Sequence, residues 1–322
     1  MRVFAEDGGY PNANTAEGAY ALWYITNGNS TGIHNTAVGD HACFQNDMNS
    51  GNTGIGAFAL TNNYQGGADT AVGDAALTNN TTGYFNTALG SSSLESNTNG
   101  ADNTAAGALA LQKNTDGRNN TAVGFESLLA NTHAGNVTAI GAYALLHNTT
   151  GANNAAGGFA ALNHNTTGPN NTADGANALQ NNTTGGNNIA VGYLAGGNLT
   201  TGSNNIDIGN PGVAAEAGTI RVGVQGTQTA TYIAGIFGRP VAGSTVVVDA
   251  NGQLGIAPIA AAGSASAIAE ELAALKESDA ALKQQVAKLT SQLQEQNAML
   301  QNVAAQLAVK KPAPRLVGNS AK

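Results

Sequence analysis

Apolar and polar positions recur with a strict seventeen-position period over the first two-thirds of the chain. A glycine falls at each seventeenth position from Gly39 to Gly209 without a slip, and one earlier unit, centred on Gly18, lies 21 residues upstream. With that glycine as position zero, the unit reads N-T-A-V-G-x-x-A-L-x-x-N-T-T-G-x-x. A fixed period without insertions predicts coils stacked on one another, each burying its apolar side chains against its neighbours. Thr-Ala-Val before the glycine is a short β-favouring run. Glycine turns the chain through its freedom to take positive φ. Ala-Leu at plus three and plus four begins a second short run, and Asn-Thr-Thr-Gly is a turn cluster leading into the next coil. Two short strands and two turns per unit predict an all-β repeat, a parallel β-roll or β-solenoid of twelve 17-residue coils over residues 14–210.

The columns of this stack have distinct chemistry. Position minus two is Ala in ten of twelve units, which marks a sterically tight interior. Position plus four is Leu in nine, from Leu22 to Leu179, and predicts a continuous narrow core. Each buried Leu contributes about 2 kcal/mol. Cys43 stands in the Leu column and reads as a small buried apolar residue. Position plus seven is Asn in nine consecutive units, Asn46 to Asn182. It reads either as turn preference or as a hydrogen-bonded asparagine ladder. Thr fills position minus three in nine of twelve units, and position minus one is mostly Val, Ile or Leu but is Glu17 and Asp174 in two. Alternation puts these two columns on one face, opposite Ala. A buried unpaired carboxylate is costly, so that face is expected to be half-buried, or to give Asp174 a partner across an interface.

Beyond Pro211 the period stops. Residues 211–258 read as a connector of short strands, with Asn251-Gly252 as a hairpin turn. Residues 259–266 read as a small-residue hinge. A heptad pattern then covers 267–309 and predicts an α-helical coiled coil about 60 Å long. Ile268, Leu275, Leu282, Leu289 and Val303 share one seam position, and Leu272, Val286, Leu293, Leu300 and Leu307 the other. Asp279 and Gln296 are polar seam residues of the kind that sets register and strand number. Residues 310–322 form a basic tail.

Composition narrows the function classes. Of 322 residues only 10% are charged and 5% aromatic, while 43 are Gly; with strict apolar periodicity this favours a stack over disorder. Between Asn14 and Asn210 there are eleven acidic side chains and two basic ones, Lys113 and Arg118. Such a surface cannot neutralise a row of phosphates, so nucleic-acid binding is not expected. One cysteine permits no intrachain disulfide. The N-terminal residues carry no basic-then-apolar signal peptide, and no apolar run is long enough for a membrane helix.

No catalytic constellation emerges. His147 and His164, one period apart, are expected to stack in adjacent coils, but no carboxylate or Cys column completes a metal site. His34, His41 and His133 read as turn residues. Gly54-Ile-Gly56 precedes no helix and is not a phosphate loop. Asp69, Asp102 and Asp207 do not recur as calcium nonapeptides do. The N-x-T matches follow from the repeat. The reading is no enzyme, no cofactor and no metal. Trp23, beside Tyr20 and Tyr24 in the atypical first unit, reads either as a cap over the open end of the stack or as a tip contact.

The units Asn35-Thr-Ala-Val-Gly39, Asn120-Thr-Ala-Val-Gly124 and Asn188-Ile-Ala-Val-Gly192 resemble the N-x-x-A-[VI]-G repeats in the heads of trimeric autotransporter adhesins, which are left-handed parallel β-rolls with three chains side by side. The A-L-x-x-N-T-T-G half looks still more like bacterial adhesin-like and tail-fibre-domain proteins. In those, the stack is followed by segments similar to Asn204-Asn-Ile-Asp-Ile-Gly209, Gly218-Thr-Ile-Arg-Val-Gly223 and Thr231-Tyr-Ile-Ala-Gly-Ile236. The resemblance covers about residues 14–257. It implies a homotrimeric fibre at the cell surface, acting in adhesion or filament assembly, with a phage-type tail fibre binding a host surface as the alternative. The four-strand membrane anchor of the autotransporters and the self-cleaving domain of tail fibres have no counterpart here, so neither self-anchoring nor autoproteolysis is expected. The Thr column also admits an ice-binding solenoid, but Val at position minus one denies it a second Thr column.

Overall fold

The computed structural model describes residues 13–26, 32–46, 49–230, 246–248, 254–256 and 263–309. They fall into two compact units divided between Thr231 and Tyr232. The first unit is a parallel β-solenoid. Its single sheet has thirteen three-residue strands, from β1 (Thr15–Glu17) and β2 (Thr36–Val38) to β12 (Ile206–Ile208) and β13 (Ile220–Val222), hydrogen-bonded in chain order. The register repeats from coil to coil: Thr36 pairs with Thr53, Ala37 with Gly54 and Val38 with Ile55. Each strand therefore occupies positions minus three to minus one. The sheet runs past Gly209 into residues read as connector, because β13 pairs with β12 after a shorter, 14-residue step from Ile206 to Ile220.

One strand per coil is observed where the sequence suggested two. The Ala-Leu segment is a turn, and its leucines are left-handed, with φ of 52° at Leu60 and 53° at Leu128. That backbone costs a residue with a Cβ about 1–2 kcal/mol. The cost is offset locally. Leu60 N–H donates to Ala76 O at 3.0 Å and Asn62 N–H to Thr78 O at 2.9 Å, so the coils stay hydrogen-bonded without a strand. The leucine side chain is also fully buried, for about 2 kcal/mol.

The periodic glycine meets a double requirement. At Gly73 φ is 141°, and a Cβ there would lie 2.6 Å from the carbonyl carbon of Gly90 in the next coil. Both the backbone angle and the inter-coil approach exclude any other residue. Inside, Ala at minus two and at plus three packs against the Leu column; all nine column leucines are completely buried. Cys43 is equally buried, and Gly54 faces it in place of Ala: a Cβ on Gly54 would lie 2.6 Å from the Cys43 sulfur. The column stops at Gly196, and Leu199, at plus seven, becomes the last buried leucine.

In the second unit β14 (Val246–Val248) pairs antiparallel with β15 (Leu254–Ile256), which fits the expected hairpin; its turn residues lie outside the described set. Helix α2 runs from Gly263 to Val309, so residues 263–266, read as hinge, are helical. Its apolar seam residues from Leu272 to Leu307 are exposed, among them Leu275 at 69% and Leu307 at 65%. The basic tail and the Thr231–Ile236 segment lie outside the described residues.

The column assignment predicts that Leu128→Ala, which empties the middle of the core, lowers unfolding free energy by about 3 kcal/mol. His147→Ala on the surface should leave it unchanged. Chemical denaturation followed by circular dichroism distinguishes the two, and an equal loss would contradict the assignment.

Candidate interaction face and the breaks in the columns

The solenoid has buried polar chemistry, but it is structural. At plus seven, Asn63 Nδ2 donates to Asn46 Oδ1 at 3.3 Å, Asn97 to Asn80 at 2.8 Å and Asn114 to Asn97 at 2.7 Å, and the chain of bonds continues to Asn182. Each of these amides also donates to the carbonyl three residues on, as Asn80 does to Gly83 O at 2.9 Å. The ladder reading of this column therefore holds. A second ladder, not singled out in the sequence, lies at position minus four. There the side-chain oxygen of one Asn accepts the backbone N–H of its counterpart in the next coil, Asn52 N–H to Asn35 Oδ1 at 2.9 Å and Asn188 N–H to Asn171 Oδ1 at 2.9 Å. Its nitrogen donates to a turn carbonyl 14 residues on, as from Asn103 to Gly117 O at 2.9 Å. The Asn at minus four is visible in the consensus, and its coil-to-coil role was the missing signal.

Two carboxylates interrupt the buried columns. Asp69 replaces Asn at minus four. Its Oδ1 accepts from Asn86 N at 2.8 Å and from Asn86 Nδ2 at 3.1 Å, and Oδ2 accepts from Asn80 Nδ2 at 2.9 Å. Burial outweighs these bonds and pushes its pKa up to about 7. Asp207 replaces Ala at minus two, in the space left by Gly196 and Gly212. Its cross-strand neighbour Arg221 turns instead to Glu216, with Nη2 at 2.8 Å from Oε2. Neither Asp207 oxygen has a hydrogen-bond partner among the described residues, and burial together with nearby Glu216 raises its pKa to about 6. The Arg221 hydrogen bonds hold Glu216 below the ordinary carboxylate range. Burial also pushes the Cys43 thiol up to about 12, so it is no nucleophile at neutral pH.

The histidine pair stacks as expected, with ring centroids of His147 and His164 5.4 Å apart. Each Nδ1 lies 3.0–3.1 Å from a backbone carbonyl of the following coil, which occupies that nitrogen. Among the described residues no three His, Cys, Asp or Glu side chains gather as a metal site would require. Trp23 belongs to a short helix, α1 (Trp23–Thr26), and packs edge-on to Tyr20 at 5.2 Å; Tyr20, His41, Phe44 and Phe58 continue the ring cluster over the next two coils. This arrangement covers the first coils and leaves Trp23 38% exposed, so it fits both the cap and the contact readings.

The surface that repeats in every coil is the outer face of the sheet. Thr at minus three and the aliphatic at minus one point away from the core, and Ile55, Leu89, Val123, Ile140, Val191 and Ile208 are exposed there. At about 4.8 Å per strand, the thirteen strands make this face about 60 Å long. One depression of about 220 Å³ interrupts it, where Ala155 and Gly157 of β9 (Ala155–Gly157) lie between Ile140 and the exposed carboxylate of Asp174. No helix among the described residues is long and apolar enough to cross a membrane. No protein-family model matches the chain, and no curated protein matches it.

Asp69 supplies a pH test. Its folded pKa, about 7, lies above the ordinary unfolded value near 4. The folded state therefore holds this proton more tightly, and stability falls as pH rises between those values, by up to about 1.4 kcal/mol per unit. Asp69→Asn, which restores the amide column, should flatten that slope and raise stability at pH 7; the smaller slope from Asp207 remains. Denaturation midpoints from pH 4 to 8 check this, and an unchanged slope would contradict it.

Proposed function

We propose that this chain is a non-catalytic fibrous protein whose solenoid is a structural rod that self-associates through the outer face of its sheet. The observation that carries the reading is the repetition of that face: threonine and half-buried or exposed aliphatic side chains recur in register from Thr36 to Ile140, and aliphatics again at Val191 and Ile208. Monomeric proteins rarely expose apolar stripes of this extent. The buried polar groups support it too, because the asparagine columns, Asp69 and Cys43 are engaged in holding coils together or sealed from solvent.

The finer reading is a homotrimer displayed outside the cell, acting as an adhesin-like shaft in surface attachment or filament assembly. It rests on the resemblance of the repeat to adhesin heads and on the straight, low-charge face, which suits side-by-side packing of like chains. The surface ligand is sought where the period breaks, at the Trp23 cluster or beyond Gly209.

Native mass spectrometry of the full chain should give a whole multiple of three chains of 32.0 kDa. Ile140→Lys, at a side chain already 50% exposed, should dissociate the rods and leave the β-sheet circular dichroism of the separated chains unchanged, while the thermal midpoint falls with the lost association. A mass of one or two chains for the unaltered protein would refute the trimer.

A further inference from the structure

We infer that helix α2 pairs antiparallel with α2 of a second copy of this chain, linking two rods through their C-terminal helices. The helix has 47 residues, and its apolar seam is exposed along its length, with Leu282 at 60%, Leu293 at 60% and Leu300 at 65%. An apolar stripe at heptad spacing with no cover among the described residues calls for another helix. The two polar seam residues decide which way that helix runs.

In an antiparallel coiled coil the two seam positions face each other, one from each chain. Placing the two-fold axis between Ala287 and Lys288 sets Asp279 opposite Gln296 of the partner copy, and does so twice. In the same register Val286 meets Leu289 and Leu282 meets Leu293 of the partner copy, and the outer seam layers are aliphatic as well. The axis falls within two residues of the midpoint of Gly263–Val309, so the helices overlap almost completely. Asp279 already has Lys283 Nζ at 2.8 Å on one carboxylate oxygen, and a glutamine amide is a donor for the other.

A parallel in-register pairing does the opposite. It places Asp279 against Asp279 in a desolvated layer, where like charges disfavour each other strongly. It also wastes Gln296 on another Gln296. Its gain is an exposed contact between Glu271 and Lys276, which is small by comparison. The antiparallel register produces no like-charge contact among the residues flanking the seam, because Lys276 and Lys283 then face Asn297 and Thr290. This pairing goes beyond the sheet-face reading and does not depend on how many chains form a rod.

The full chain is tested by disulfide mapping. Cys43 is sealed in the core, so the unaltered chain is the uncross-linked control. Asp279→Cys alone and Gln296→Cys alone should form no interchain disulfide under mild oxidation, because identical positions lie about 25 Å apart along the axis. The double variant should form one, and peptide mapping should find the thiol introduced at position 279 of one copy joined to that at position 296 of the other. Disulfides in the single variants, or none in the double variant, would overturn the inference. Spin labels at Glu277→Cys, outside the seam, give a second readout that spares the helix contact. The expected separation between copies is about 30 Å. Separations below about 20 Å, or no coupling between helices, would refute the pairing. The Ile140→Lys background separates the two readings: it should abolish rod association and leave the α2 cross-link intact.

Discussion

The rod depends on side-chain amides that complete the backbone hydrogen bonding between coils. Three residues of each coil form a strand; the others must still satisfy buried N–H and C=O groups, since an unpaired one costs about 1–3 kcal/mol. Asparagine does this in two columns. At minus four it accepts a backbone N–H from the next coil and donates to a turn carbonyl; at plus seven it donates to its own turn and to the previous amide. Within the ladders the amides are used at both ends, and at the last rung Asn182 Oδ1 has no hydrogen-bond partner among the described residues. From Asn35 onward the bonds between counterpart asparagines span seventeen residues, in keeping with a period without a slip from Gly39 to Gly209, while the longer first coil keeps its bond from Asn35 N–H to Asn14 Oδ1 at 2.8 Å.

The same constraint explains what varies. Positions plus one, plus two, plus five and plus six vary from Ala through Asp, Gln and His to aromatics, whereas Thr mostly holds minus three and plus eight. Within the columns, changes come with compensation. Cys43 is matched by Gly54, and Asp207 sits in room made by Gly196 and Gly212. Val137 is a bare interruption of the minus-four column: its own N–H still donates to Asn120 Oδ1, at 3.0 Å, but its side chain offers no acceptor to the next coil. A stack of this kind tolerates one missing rung because its neighbours fix the spacing on either side.

Much of this was legible in the sequence because a column is legible wherever one residue type is demanded. Ala at minus two, Leu at plus four, Asn at plus seven and the zero glycine all correspond to single physical demands. The second strand was misread because Ala-Leu has no glycine to announce its left-handed turn; the leucine takes that conformation under pressure from burial and inter-coil bonding, which local propensity does not contain. The minus-four ladder was hidden in the motif N-T-A-V-G, where Asn looks like a turn residue leading into a strand. The Asp207, Glu216 and Arg221 cluster lay beyond reach because the step to β13 is shorter than a full coil, and cross-strand partners can no longer be read by counting.

A uniform stack poses a problem at its ends, where strand edges and amide ladders have no next coil. At the first coils Tyr20, Trp23 and Tyr24 pack against the rings of the next coil, His41 and Phe44. At the other end the answer is a change of chemistry. Leu199 takes the place of the next ladder asparagine, Gly196 that of the column leucine, and Arg221 in β13 clamps Glu216 over the last full coil. Two surfaces of the described residues remain apolar and exposed, the outer sheet face and the α2 seam. In the proposed α2 pairing the polar seam residues act as the asparagines do in the rod: placed at intervals that only one register satisfies, they select among packings that apolar contact alone leaves nearly equal.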